Sequence, residues 1–308
     1  MTSLQNESGS HIMRGTMRVV DMPQTRPVAP RLTVWGAGGD SPYSFDSMRQ
    51  GLAQRLLDTE PLHRGKWQTL DVADSWLHAT RELRNVSLFY TVPPQYIGDL
   101  EGEVKPDMPW AEEHHWERVG REPLNPAPSY LRWPHHGGSS DRHIDSSTRF
   151  SHTYPERFWP RQAGYAQVTG QENRGIWYNY GDLDGVVRQL VENPFTRQAV
   201  LPVWFPEDTG ATDRRVPCSL HYHFMCDEDM RLSVWYSLRA CDFVRHWHND
   251  VYFACRLLQW VISEVLAETD DRAADAVRFS PGELNMTISS LHSFLGDDER
   301  LTAIAEGQ

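Results

Sequence analysis

Cys218 follows Pro217 and stands just beyond the basic pair Arg214-Arg215. Neighbouring guanidinium charge lowers a thiol pKa and favours the thiolate, the form that attacks carbon. Free Cys is also among the most buried residue types, so a structural thiol is the alternative. Two His-x-His pairs, His221/His223 and His246/His248, have a spacing that puts both rings of a strand pair on one face, as metal ligation requires. No third and fourth ligand stand at a recognisable distance, so no metal is expected, and His221 and His223 read as decorating one face of a hairpin. Arg239-Ala240-Cys241-Asp242 places an arginine at a strand end, which suits bidentate capture of a phosphate and equally a surface ion pair with Asp242. Asn249-Asp250 opens a long helical pattern, where either residue is by default an N-cap.

Strand ends and helix starts must hold these groups. Strand-like runs cover 198–204, 219–226 and 231–238, the last two joined by the acidic turn Asp227-Glu228-Asp229 into a β-hairpin. Leu183, Val186, Val187, Leu190 and Val191 follow helical spacing until Asn193-Pro194 stops them. Val251, Ala254, Leu258, Val261 and Val265 lay one apolar face along a long central helix, and a last strand spans 284–292. In the first half, Arg31 to Gly36 reads as a strand entering the turn Gly-Ala-Gly-Gly, and 45–57 and 73–86 carry helical spacing. From about 97 to 172 the chain is rich in Pro, His and charge, with His114-His115 and His135-His136-Gly137-Gly138. That stretch reads as an irregular insertion of functional or mobile character. Residues 1–30 lack periodicity, and Gly9 to Met13 look like a vector remnant, so this N-terminus reads as disordered and tag-like. Residues 31–308 then form a single domain of α+β class.

The 308 residues carry 30 basic against 42 acidic side chains, a net charge of −12, which lacks the basic footprint of general nucleic-acid binding. No apolar run approaches the roughly 18 residues of a membrane span. The four cysteines, 218, 226, 241 and 255, show no paired CxxC spacing, which points to free thiols in a reducing cytoplasm.

Taken together, Arg197, Arg215-Val216-Pro217-Cys218, the hairpin running to Leu238-Arg239-Ala240-Cys241-Asp242, the helix after Asp250, and Gly282-Glu283 followed by Ser289-Ser290-Leu291-His292 resemble the thymidylate synthase superfamily. Gly175-Ile176-Trp177-Tyr178 looks like that family's Gly-Pro-Val-Tyr segment, and the resemblance covers about 173–294. It implies a mixed sheet on a long helix and a sheet-to-sheet homodimer. It also implies a pyrimidine nucleoside monophosphate and 5,10-methylenetetrahydrofolate as substrates. Cys218 would add to C6 of the base, Arg239 would bind the 5′-phosphate, Arg26 would close on it, and Arg197 would reach in from the partner subunit. Tyr178 would assist proton removal at C5, Asp242 would contact the pterin, His292 the sugar hydroxyls, and Glu82 would be the catalytic carboxylate.

The departures redirect the reading. Counted without gaps from Arg239, the family's base-reading Asn falls on Asp250, a carboxylate that accepts from the 4-amino group of cytosine. That exchange resembles the cytidylate and deoxycytidylate hydroxymethylases of the superfamily; a one-residue gap would put Asn249 there and restore uracil. Ser219 replaces the His that follows the nucleophile in thymidylate synthases. Ala240 replaces a Ser and Phe294 a Tyr, which favours a ribose and hence CMP over dCMP. Gln198 replaces the second of two adjacent Arg, and 16 residues follow His292 where the family has a longer tail. The implied activity is 5-hydroxymethylation of a cytosine nucleotide. Its alternatives are a methylating synthase on dUMP or UMP and a degenerate nucleotide-binding homologue.

Overall fold

The computed structural model describes residues 33–37, 44–63, 66–67, 70–71, 76–93, 97–135, 149–164, 181–211, 214–269 and 277–308. Arg26, Tyr178 and the rest of the Gly175–Tyr178 segment lie outside them.

A seven-stranded sheet forms the spine. Its strands are β1 (Thr33–Ala37), β4 (Thr80–Thr91), β5 (Val200–Pro202), β6 (Ser219–Cys226), β7 (Arg231–Leu238), β8 (Cys241–Asp242) and β9 (Ser280–Phe294). The order is β1-β4-β9-β7-β6-β5, with β8 also on β9. Pairing is mixed: β1 with β4, β7 with β9 and β8 with β9 run parallel, the rest antiparallel. The short pair β2 (Lys66–Trp67) and β3 (Leu70–Asp71) stands apart.

Alternation decides the faces. In β7, Leu232, Val234, Tyr236 and Leu238 are buried, and in β9 Leu284, Met286 and Ile288 are, so one face of the sheet is apolar. Against β7 and β9 packs α6 (His248–Glu268), 21 residues long, with Val251, Ala254, Leu258, Val261 and Val265 all buried. A π-helical turn, Phe243–Trp247, leads into it, capped by Asp242, whose Oδ1 accepts from the amides of Val244 (3.1 Å) and Arg245 (3.2 Å). On the other face of the hairpin His221 and His223 are half-buried. Glycine is required at 282, where a Cβ would run into Ser233 Oγ and come within 3.1 Å of Leu232 O.

The helix α1 (Phe45–Leu57) starts at Ser44, whose hydroxyl accepts from Ser47 N, and buries Phe45, Met48, Leu52 and Leu56. Helix α5 (Leu183–Glu192) ends at Asn193. Two expectations fail. The helical spacing over 73–86 is coincidental: Trp76–His78 is a single 3₁₀ turn with Trp76 and Leu77 exposed, and β4 begins at Thr80. Pairing with β9 from Thr80↔Phe294 to Thr91↔Glu283 overrides the local pattern.

The described residues of the stretch after 97, 97–135 and 149–164, are not irregular either. They hold α2 (Ile97–Val104), α3 (Trp110–Val119), a 3₁₀ turn at Pro128–Arg132 and α4 (Tyr154–Phe158), which has a Thr153/Glu156 capping box. Helices α2 and α3 pack on α6. Sequence periodicity misses α3 because its inner positions are His115 and Arg118 as well as Trp110, Ala111 and Val119. The chain closes with α7 (Asp298–Ala305) against α1, tied by Arg81 to Asp298 (3.1 Å).

Candidate active site

Cys218 precedes β6 and Arg239 follows β7, so the hairpin sets them opposite each other: Arg239 N donates to Cys218 O at 2.9 Å. The guanidinium donates from Nε to Pro217 O (2.7 Å) and from Nη2 to Val216 O (3.0 Å), and Nη2 stands 3.8 Å from the thiol. Arg239 thereby shapes the loop that presents the sulfur. Its charge and that of Arg215 pull the thiol pKa down, yet burial is the larger effect and pushes Cys218 above its ordinary value. The expectation of a low-pKa thiol does not hold for this state of the protein.

One cavity contains this group. The sheet side contributes Cys218, Ala240, Cys241, Asp242, His246 and Asp250. Arg215 lines it too, a half-buried cation whose Nε lacks a hydrogen-bond partner among the described residues. Opposite stand Trp110, His114 and Arg118 of α3, then Tyr130, His152 and Tyr154. Tyr154 Oη lies 3.0 Å from Ser219 Oγ, which in turn bonds Tyr236 Oη (2.5 Å), tying α4 to the strand beside the thiol.

Asp250 faces this space and Asn249 does not. Asn249 accepts from Asp107 N (2.9 Å) and donates to Asp107 Oδ2 (2.8 Å), pinning the chain ahead of α3. Asp250 Oδ2 accepts only from the Cys241 thiol, at 3.4 Å, among the described residues. Burial raises its carboxyl to about 6, against the pull of Arg118. Asp242 is raised to about 7, again chiefly by burial. Its Oδ1 is committed to the π turn, with Arg245 Nε 3.9 Å from Oδ2.

Three expected site residues stand elsewhere. Glu82 is on β4, where it accepts from Ser290 Oγ (2.6 Å) and pairs with Arg84 (3.2 Å), outside the cavity lining. His292 pairs in the sheet with Asp242 and with Glu82 and meets Phe294 edge-on, and it too is not a lining residue. Arg197 is exposed; its carbonyl accepts from His223 Nε2 (3.2 Å). The arginines that line this cavity are Arg118 and Arg215, while Arg239 stands beside the thiol without being a lining residue.

The opposite side was not foreseen. His114 Nδ1 meets Glu117 Oε2 (3.1 Å) and Ser129 Oγ (3.2 Å), while Ser129 N donates to Glu117 Oε1 (2.6 Å) and Ser129 Oγ donates to Oε2. The ring stacks on Trp110 (5.3 Å) and is edge-on to Phe253. Burial lowers His114 to about 4, so it is neutral at pH 7 with Nδ1–H directed at the carboxylate. The available signal was Trp110, His114 and Arg118 recurring every four residues on one helix face. Among the described residues no group of three His, Cys, Asp or Glu side chains could hold a metal, and no helix is long and apolar enough to cross a membrane. All four cysteines are free.

No family model matches the chain, and no curated protein matches it. Among solved structures it is similar to the thermostable thymidylate synthase A from Bacillus subtilis, with a TM-score of 0.56 and 14% identity, over 86% of this chain and 84% of that one. At that identity the likeness speaks for architecture, and this chain has a thymidylate synthase-like α+β fold.

Proposed function

We propose that this protein is a folate-dependent 5-hydroxymethylase of a cytosine nucleotide, CMP first and dCMP next. The observation that supports it most is the cavity itself: a thiol beside Arg239 shares one cavity with the half-buried carboxylate Asp250, while Asn249 is occupied with Asp107. The fold neighbour's name, a thymidylate synthase, agrees with one-carbon transfer to a pyrimidine nucleotide.

Arg239 and Arg215 hold the 5′-phosphate. Cys218 Sγ adds to C6, and the electron pair released toward C5 makes that carbon nucleophilic. C5 attacks the one-carbon unit of methylenetetrahydrofolate, the C5 proton leaves with help from Tyr178, and departure of the folate amine creates an exocyclic methylene. Water adds to that methylene, and expulsion of Cys218 restores the ring. Asp250 accepts from the 4-amino group and selects cytosine. Activation of the water passes from Glu82, which is engaged on β4, to the neutral His114, whose Nδ1–H is held by Glu117. Asp242 would meet the folate with Oδ2. The sheet's half-buried face would pair two copies, and Arg197 would reach the partner's phosphate.

The raised thiol favours a second reading, a nucleotide-binding homologue without covalent chemistry. The test is mass spectrometry of products from CMP, dCMP, UMP and dUMP, each with methylenetetrahydrofolate, for the protein and Cys218→Ala. A hydroxymethylated cytosine nucleotide, absent with Cys218→Ala, is expected. A methylated uracil nucleotide would replace the proposal by a methylating synthase. No product from any of the four, with Cys218 still protected from alkylation by nucleotide, would establish the binding protein.

A further inference from the structure

Arg118 presents an unusual problem in the apo protein. The residue is 4% exposed, and neither Nε nor Nη1 has a hydrogen-bond partner among the described residues. No carboxylate pairs with it among the described residues. Its guanidinium lies instead between two rings, 4.1 Å from the centroid of Tyr154 and 3.9 Å from that of Phe253. The two rings fix the plane of the fork, but they satisfy none of its N–H donors. A buried, unpaired cation is costly and persists where a ligand completes it.

The position of the fork says which part of a ligand that is. Phe253 is one helical turn beyond Asp250 on α6, and Arg118 is the largest charge acting on the Asp250 carboxyl. No ion pair joins the two, so a gap separates a set of donors from an acceptor. Arg215 and Arg239 act on Cys218 at the other end. Arg215, Cys218, Tyr154, Arg118 and Asp250 thus line one cavity, with Arg239 beside the thiol.

Resting on the proposed function, we infer that Arg118 and Asp250 together read the pairing edge of cytosine, Arg118 donating to O2 and N3 while Asp250 accepts from the 4-amino group. Cytosine offers acceptor, acceptor, donor along that edge, and the pair offers the complement. Uracil sets its N3–H against the guanidinium donors and its O4 against the carboxylate, so the same two side chains also repel the wrong base. Arg118 has a second task in the addition step. As the Cys218 S–C6 bond forms, the displaced electron pair spreads from C5 onto N3 and O2, where the positive charge of Arg118 would stabilise it.

The test compares wild type, Arg118→Met and Arg118→Lys in binding CMP, UMP and ribose 5-phosphate, with folate-free exchange of the C5 hydrogen and the apo melting temperature. Wild type is expected to prefer CMP over UMP by about tenfold or more. Arg118→Met should erase that preference and the C5 exchange, leave ribose 5-phosphate binding unchanged, and melt no lower than wild type, because it removes an unpaired charge. Arg118→Lys should recover part of the affinity and less of the preference. A melting temperature lowered in Arg118→Met together with equal loss of all three ligands would make Arg118 structural and overturn the inference. Retained CMP preference in Arg118→Met would overturn it too, with the proposed function intact. Wild type binding none of the three would overturn both.

Discussion

The two sides of the cavity are built on different principles. The sheet side takes its residues from strand ends and one helix start, and backbone pairing fixes them: Cys218 and Arg239 face each other because β6 and β7 are a hairpin. The helical side takes its residues from the face of α3 and the start of α4, and side chains fix them. Glu112 bonds Arg256 (2.7 Å) and Tyr252 (2.6 Å), Trp159 Nε1 donates to Arg118 O (2.8 Å), and Arg157 pairs with Asp208 (2.9 Å). Cys218 and Arg239 are thus held by the rigid ladder, and His114 and Arg118 by an element fastened through side chains, which can be rearranged without breaking a sheet.

Acid should expose the difference most strongly. His114 is held near 4 and His115 and His152 near 3, all on the helical side, and His246 near 3 on the π turn, each chiefly by burial. Unfolded imidazoles titrate near 6.5. At pH 5 the unfolded chain thus carries about four protons that these folded rings lack, while folded Asp242 and Asp250 carry about two that their unfolded carboxylates lack. The net uptake on unfolding is about two protons, so stability falls by roughly 3 kcal/mol for each pH unit lost between about 6 and 4. Melting temperatures from pH 8 to 4 should drop steeply below 6; a flat profile would mean that the rings are hydrated.

Next in size is the tie between the two sides. Asp208→Ala removes the carboxylate that Arg157, 2% exposed, pairs with, and should cost about 3–5 kcal/mol in urea unfolding. The double variant Arg157→Met/Asp208→Leu should recover much of that, and failure to recover would place the cost in packing instead of charge.

Asp250→Asn should act the other way. The carboxyl titrates near 3.8 unfolded and about 6 folded, so it favours the folded state below that window and disfavours it above. The variant should be more stable than wild type by on the order of 2–3 kcal/mol at pH 8, with the gap closing toward pH 4. Its base preference should move toward uracil, and unchanged preference for cytosine would remove Asp250 from the base site. The smallest effect belongs to Glu82→Gln. That change weakens contacts to Ser290 and Arg84, should alter stability by about 1 kcal/mol or less, and should leave turnover as it is; a large loss of kcat would restore Glu82 to the chemistry.

Legibility followed the same division. The hairpin, α1, α5 and the buried stripe of α6 were readable because apolar periodicity and turn residues announce them, and the grouping of Cys218, Asp242 and Asp250 around one cavity, with Arg239 beside the thiol, follows from their places at the ends of those elements. The Asn249-Asp250 pair was visible, and the Asn249–Asp107 clamp beside it was not, since residue 107 is remote in sequence. Helix α3 was hidden by its polar inner face. The thiol pKa was misjudged for a related reason: sequence shows the neighbouring arginines but not the burial that outweighs them.

The π turn at Phe243–Trp247 has a consequence for how such a site changes over generations. A π turn accommodates one residue more than the α-helical turn it replaces. Deleting a single codon there would oblige either the Asp242 cap or the body of α6 to swing by roughly 100°, the step between neighbouring residues. The helix body is locked by its buried stripe, so the cap would yield, carrying Cys241 and Asp242 out of line with Asp250. Chain length in this turn, more than any side chain within it, sets which carboxylates look into the cavity. Relatives with other substrates are expected to differ there by an insertion or deletion.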